Sequence, residues 1–338
     1  LAILYRHCFW SLYNQPKVLS LSSYEKIKSI QRLDSLTEDD VASLQKIIRG
    51  KQPVAIPPAT NLIVRHELTQ LIPDMHSAFE RMLTDGANTD PSCKAKWAIA
   101  NTLYRLEKTG ERPNADLFLS GIRHTQPEPV WGKTIDTAPP LRALCALGLV
   151  QANYPNVLIE LADLLADPEH DARAGAARAV GYSQNPAGIP LLRLKMHMGD
   201  REPQVISECC IALLALSPQQ APLVINALNT GSEAVQELAA IALGEAKIPE
   251  ALVAIKDKWK RTRDGDLRAS FLLAIATLRT EDAMDFLLGL VERGNLQDAK
   301  DSLSALHIYR NTTDIWQQIN KTVQIRGEAV LIEFINNT

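Results

Sequence analysis

No apolar run in the chain reaches the roughly 18 residues that a membrane-spanning helix requires, so no membrane partner is expected. No charge of one sign dominates either. Lys and Arg total 36 against 39 for Asp and Glu. That balance leaves no broad field to gather phosphates or anionic lipid, and nucleic acid is not an expected partner. The five cysteines, Cys8, Cys93, Cys145, Cys209 and Cys210, are odd in number and lack CxxC spacing. This excludes a disulfide framework and a zinc site. They mostly fall on apolar positions of helical patterns and read as buried thiols of a reducing compartment, so a cytoplasmic location is expected. The opening "LAILYRHCFW" is apolar, but Arg6 and His7 interrupt it and it lacks a cleavable signal pattern. The chain begins without Met, which leaves an upstream segment open.

Signatures of catalysis are equally scarce. The seven histidines show no HxxxH, HxH or HExxH spacing. No Gly-rich phosphate loop and no GxSxG elbow occur. No catalytic residue, cofactor or metal is therefore expected, and a non-enzymatic role leads.

Internal repetition is present in full. "DARAGAARAVG" at 171–181 recurs as "EPQVISECCIALL" from 202, "SEAVQELAAIALG" from 232, "GDLRASFLLAIAT" from 265 and "LQDAKDSLSALHI" from 296. The first apolar anchors, Ala172, Val205, Val235, Leu267 and Ala299, are 33, 30, 32 and 32 residues apart. Upstream, the same register reaches Pro139 and, a further 46 residues back, Cys93. Seven residues after the anchor stands Ala100, Ala146, Ala179, Ala212, Ala242 or Ala274, with Leu306 in the last copy. A small residue held at one helical position implies close helix crossings. A second amphipathic stretch precedes each segment from 155 onward, with Pro and Asp at the boundaries, so the unit is a helical hairpin. Apolar spacings of three and four, with Ala and Leu in place of β-branched alternation, exclude strands.

Such a hairpin cannot bury its apolar face alone and must stack on neighbours. The period and the V/A-R-x-x-A-A-x-A-L-G pattern resemble HEAT repeats, particularly the short bacterial kind called PBS-lyase-type HEAT, over roughly residues 50–310. The resemblance implies an all-α fold, a right-handed α-solenoid of about seven hairpins. Residues 1–50 are expected to cap its N-terminal end and 311–338 its C-terminal end, with 51–310 forming the repeats. "LTEDDVASLQKIIRG" (36–50) predicts a helix with Thr37 and Asp40 in capping-box spacing.

One HEAT-type family, deoxyhypusine hydroxylase, holds two irons on His-Glu pairs, and "VRHELTQLI" (64–72) is similar to one such motif. A di-iron centre needs ligands from several helices. The corresponding positions elsewhere read Ala95-Lys96, Ala174-Gly175, Ser207-Glu208, Glu237-Leu238, Ala269-Ser270 and Asp301-Ser302. The similarity of Ile72-Pro73 to Ile189-Pro190 further makes 65–71 a junction between hairpins and places a second helix near 55–64. "KDKWKRTR" (256–263) gathers five basic residues around Trp259, the combination a nucleic-acid contact uses, and HEAT-like DNA glycosylases give a precedent. The cluster lies on a first helix, however, and reads as a solvated face.

The 46-residue spacing carries an excess of about 14 residues, in "HTQPEPVWGKTIDTAPP" (124–140). Its prolines and Gly132 bar a regular helix. Two readings compete: Trp131 plugs a gap between hairpins, or His124, Glu128, Trp131, Asp136 and Arg142 form a contact patch with Tyr104 and Arg105. The leading function is a protein-interaction scaffold or adaptor with a protein partner on the concave face made by the second helices. The alternatives are a lyase-like or chaperone-like HEAT subunit assisting modification of a partner protein, and a nucleic-acid glycosylase relative. Oligomeric state is left open.

Overall fold

The computed structural model describes residues 21–106 and 115–337. Cys8 and the rest of residues 1–20 lie outside the described residues, so the expectations for them have no structural counterpart here. The chain divides into two compact units, residues 1–160 and 161–338.

Unit 1 contains α1 (Leu21–Ile30), α2 (Glu38–Arg49), α3 (Ile56–Arg65), α4 (Ile72–Thr84), the short α5 (Gly86–Thr89), α6 (Lys94–Leu106), α7 (Ala115–Ile122), strands β1 (Pro127–Val130) and β2 (Lys133–Asp136), and α8 (Pro139–Gln151). Three hairpins result, α2/α3, α4/α6 and α7/α8, in which second helices α3, α6 and α8 pack side by side. The capping box forms as expected, with the Asp40 N–H donating to Thr37 Oγ1 at 3.3 Å and the Thr37 N–H to Asp40 Oδ2 at 3.1 Å. Pro57, Pro73 and Pro139 occupy the first turns of α3, α4 and α8, where an N–H has no intrahelical acceptor to lose.

α9 (Val157–Leu165) crosses the division between units. Unit 2 continues with α10 (His170–Tyr182), α11 (Ile189–Met198), α12 (Pro203–Leu216), α13 (Ala221–Thr230), α14 (Glu233–Glu245), α15 (Ala251–Arg261), α16 (Gly265–Leu278), α17 (Glu281–Arg293), α18 (Leu296–Leu306), α19 (Thr313–Arg326) and α20 (Ala329–Asn337). Second helices α10, α12, α14, α16, α18 and α20 form a ladder in which each packs on the next. α19 and α20 pack on α17 and α18, so this C-terminal pair repeats the hairpin arrangement. Ser232, Asp264, Thr280 and Asn295 cap α14, α16, α17 and α18 by accepting the N–H three residues on.

The alanine column is the reason the ladder closes. Ala100, Ala146, Ala179, Ala212, Ala242, Ala274 and Leu306 are all buried. A Cβ placed on Gly181 of α10 would lie 2.9 Å from the Cα and Cβ of Ala212 on α12. One on Gly244 of α14 would collide with the Ala274 carbonyl of α16. A glycine near the end of one second helix therefore faces the column alanine of the next, and neither position has room for a methylene. The Arg of the repeat pattern is a brace. Arg173 donates to the carbonyls of Asp167 and Pro168, Arg268 to those of Trp259 and Thr262, tying a second helix to the segment before it. Each then reaches an aspartate further along, Asp200 for Arg173 and Asp298 for Arg268.

Candidate partner-binding sites

The His-Glu pair lies where the repeat register placed it, after α3 and before α4. Glu67 has φ 50°, and Asn153, Gln184 and Lys247 have φ 51°, 51° and 53°. All four stand two residues beyond the end of a second helix. The next N–H folds back to the helix, from Leu68 to Ile63, Tyr154 to Leu149 and Ile248 to Leu243. Glu67 is thus the left-handed exit residue of α3, and His66 caps that helix through its N–H to the Leu62 carbonyl at 3.0 Å. Among the described residues, no group of three or more His, Cys, Asp and Glu could hold a metal ion.

The insertion lies between the two helices of hairpin α7/α8 and forms a β-hairpin. β1 and β2 are antiparallel, pairing Pro127 with Asp136, Glu128 with Ile135, Pro129 with Thr134 and Val130 with Lys133. Trp131 (φ 48°) and Gly132 (φ 78°) make the two-residue turn. Positive φ at both centres is the type I′ geometry that matches strand twist, and Gly132 adopts it freely. Trp131 does not, since a bulky side chain in this region is strained.

The tip and the base of this hairpin differ completely. Trp131 is 94% exposed, which overturns the reading in which it plugs a gap between hairpins. At the base, Glu128 Oε1 accepts from the Ser92 N–H (2.7 Å), Gln126 Nε2 (2.6 Å) and the Thr137 hydroxyl (2.8 Å). Gln126 also donates to the Asp90 carbonyl at 2.8 Å. Asp90 caps α6 through the N–H groups of Ala95 and Lys96, both at 2.8 Å, and pairs with the fully buried Lys96 ammonium at 3.2 Å. Asp136 Oδ1 accepts from the N–H groups of Gln126 and Ala138. Its Oδ2 takes the Arg142 guanidinium at 2.6 Å, and Arg142 also donates to the His124 carbonyl at 2.9 Å. Burial alone would raise the Asp136 carboxyl, but the two N–H groups and Arg142 outweigh it and hold it below the ordinary range. Burial pushes the His124 imidazole down. It pushes the Cys93 thiol up to about 12, so that thiol is no nucleophile at neutral pH.

The seven proposed contact residues therefore do not form one patch. Arg142, only 2% exposed, and Asp136 brace the hairpin from within, and His124 and Glu128 are half-buried in the same network. Tyr104 and Arg105 lie in the last turn of α6, about 12 Å along its axis from the Lys96 end that the base touches. Tyr104 is half-buried and its carbonyl accepts from Gln151. Trp131 alone is offered to solvent at the tip. Gln126, Asp90, Lys96 and Thr137 were not foreseen, because no residue type in the insertion announces which partner its polar atoms meet.

Unit 2 presents a second surface. On α12, Ile211 is exposed between buried neighbours Cys210 and Ala212. One repeat on, Ile241 is half-buried at the matching place of α14, and Leu273 is exposed at that of α16. The row lies six residues after each anchor, next to the alanine column, and crosses three helices that pack on one another. Polar rungs flank it: Arg178 of α10 pairs with Glu208 of α12, and Ser270 of α16 donates to Glu237 of α14 at 2.6 Å. Trp259 of the basic cluster is not a solvated residue. It is 7% exposed, with Arg268 4.3 Å above its ring and Phe286 edge-on at 5.5 Å. No ring face remains for a base to stack on. Cys93, Cys145, Cys209 and Cys210 are buried and free, as expected.

Among the described residues the fold is an α-solenoid of HEAT-type hairpins with one β-hairpin inserted in a repeat. Neither a family model nor a curated protein matches the chain. The solved structures similar to it include two HEAT-type proteins. The complex of CpcE and CpcF of phycocyanin lyase from Nostoc has a TM-score of 0.40 and 16% identity, covering 73% of this chain and 94% of that one. Human deoxyhypusine hydroxylase in complex with glycerol has a TM-score of 0.31 and 13% identity, covering 86% and 98%. No helix among the described residues is long and apolar enough to cross a membrane.

Proposed function

We propose that the chain is a protein-interaction scaffold that binds an extended partner on the face made by its second helices, in a reducing, cytoplasmic setting. The observation that carries this reading is the row Ile211, Ile241 and Leu273. Single exposed aliphatics are ordinary on any surface, but a row repeated at one register across adjacent helices is a patch. Of its flanking charges, Arg178 and Glu208 pair with each other and Glu237 accepts from the Ser270 hydroxyl, so an apolar segment can lie along the row without stripping these groups of their partners. The enclosed Trp259 weighs against the nucleic-acid alternative.

The test is affinity purification from the native cell with quantitative mass spectrometry, comparing wild type with the double variant Ile211→Asp, Leu273→Asp. Both positions face water, so the melting temperature is expected to hold within a degree or two while co-purifying proteins are lost. Retention of every partner by a folded double variant rejects the second-helix face as the binding surface.

A further inference from the structure

The inserted β-hairpin has two edges, and they are chemically unequal. A two-residue type I′ turn closes on a hydrogen-bonded pair, here Val130 and Lys133, and bonded pairs then alternate with non-bonded ones. Glu128–Ile135 is the next bonded pair, and the Thr137 N–H on the Gln126 carbonyl at 3.0 Å continues the same phase. Pro129–Thr134 and Pro127–Asp136 are therefore the pairs whose backbone groups point away from the partner strand. On β1 both outward positions are proline, with no N–H to offer, which closes that edge to a further strand. On β2 the outward positions are Thr134 and Asp136, and each presents an N–H and a carbonyl. The sheet has only these two strands among the described residues, so no third strand there pairs with the outer edge of β2.

Side chains add a direction to this edge. Lys133 and Ile135 project from one face of β2, two residues apart; Lys133 is exposed and Ile135 is 46% exposed. Trp131 stands beside them at the turn, fully displayed in spite of its strained φ. We propose that the outer edge of β2 takes up an extended peptide segment of a partner protein as a third strand, recognised by an apolar side chain against Ile135 and Trp131 and an acidic one, two positions away, against Lys133. The main-chain groups of Thr134 and Asp136 supply the strand pairing, and the alternating side chains supply the choice of sequence. The rigid base described above holds the edge in place before the peptide arrives, which lowers the ordering cost of binding. This site is independent of the second-helix row, so failure of one leaves the other intact.

The probe is a fluorescein-labelled octapeptide, Ser-Thr-Glu-Thr-Val-Thr-Val-Ser, titrated by anisotropy against the full chain. Hydrogen exchange at Thr134 and Asp136 is followed in parallel. Saturable binding that slows exchange at those two amides is expected. Thr134→Pro, which gives β2 the closure that β1 already has, should weaken binding at least tenfold without altering the far-UV spectrum. On the wild-type protein, a peptide N-methylated at its central residues should fail to bind, which keeps the test independent of any variant's folding. Lys133→Glu should prefer the octapeptide in which Glu is replaced by Lys. Absence of binding, or binding indifferent to both N-methylation and Thr134→Pro, overturns the proposal. So does concentration-dependent dimerisation abolished by Thr134→Pro, which would assign the edge to a second copy of the chain. Association with anionic phospholipid vesicles lost in Trp131→Ala, in place of peptide binding, would assign it to a membrane surface.

Discussion

The ladder of second helices in unit 2 and the inserted hairpin of unit 1 are held by different forces. In the ladder, geometry follows from side-chain volume: Gly181 meets Ala212, Gly244 meets Ala274, and the Arg braces add a polar tie at the end of a hairpin. Close packing of this kind repeats with the sequence, because every copy must solve the same crossing. In the insertion, almost no apolar side chain is buried, and the position of the strands is set by two carboxylates, Glu128 and Asp136, that gather donors from Ser92, Gln126, Thr137, Ala138 and Arg142. A volume rule can be read one residue at a time. A hydrogen-bond network depends on groups far apart in the chain, Ser92 and Glu128 being 36 residues distant.

That contrast can be broken most sharply at Arg142. Arg142→Met removes the guanidinium from a carboxylate held in a largely buried network and should cost about 3–5 kcal/mol, read as a lower urea midpoint for unit 1. A midpoint within error of wild type would mean that the insertion is not braced. In the ladder, the comparable brace is Asp200, whose carboxylate takes Arg173 and Lys195. Burial opposes its ionisation, yet the two cations outweigh it and hold its pKa well below the ordinary carboxylate value. A depressed folded-state pKa stabilises above the unfolded value of about 4, and that contribution is lost as pH falls toward the folded one. Asp200→Asn should therefore cost about 3 kcal/mol at pH 7, with the gap to wild type narrowing progressively below pH 4. A gap that stays constant into acid would remove Asp200 from the account.

Ala242→Leu asks whether volume governs the ladder. It should overpack the α14 crossing and cost about 2 kcal/mol, seen in a thermal melt. An unchanged melting temperature would show the register to be wrong. The smallest effect belongs to the hairpin tip. Trp131→Asn suits a left-handed φ and should stabilise by about 1 kcal/mol or leave stability unchanged. A loss of stability there would mean that the tryptophan supports the fold.

The same division explains what could be read from the sequence. The start of α2 was legible at Thr37 and the close helix crossings at the alanine column, because each is a local rule acting on one residue type. The exit of α3 at Glu67 was legible as a junction from the Ile72-Pro73 match alone. The insertion was visible as a break in the period, but not as a hairpin. Its turn is Trp131-Gly132, where Asn or Asp would have signalled type I′ geometry, and its flanks carry two prolines that usually argue against a strand. Their place on an outward edge shows only once the pairing is known. The apolar row stood beside the alanine column in three successive copies and was hidden by it, since Ile211, Ile241 and Leu273 look like further core residues until their exposure is seen.

The central claim is that the insertion is a built part of unit 1, with a rigid base and a displayed tip. Residue-resolved hydrogen exchange on the full chain tests it most directly. The amides of Ser92, Gln126, Thr137 and Ala138, each bonded at the hairpin base, should be protected as strongly as those in the middle of α6 and α8, while Trp131 and Gly132 exchange freely. Exchange of the base amides at the rate of an unstructured loop would contradict the account.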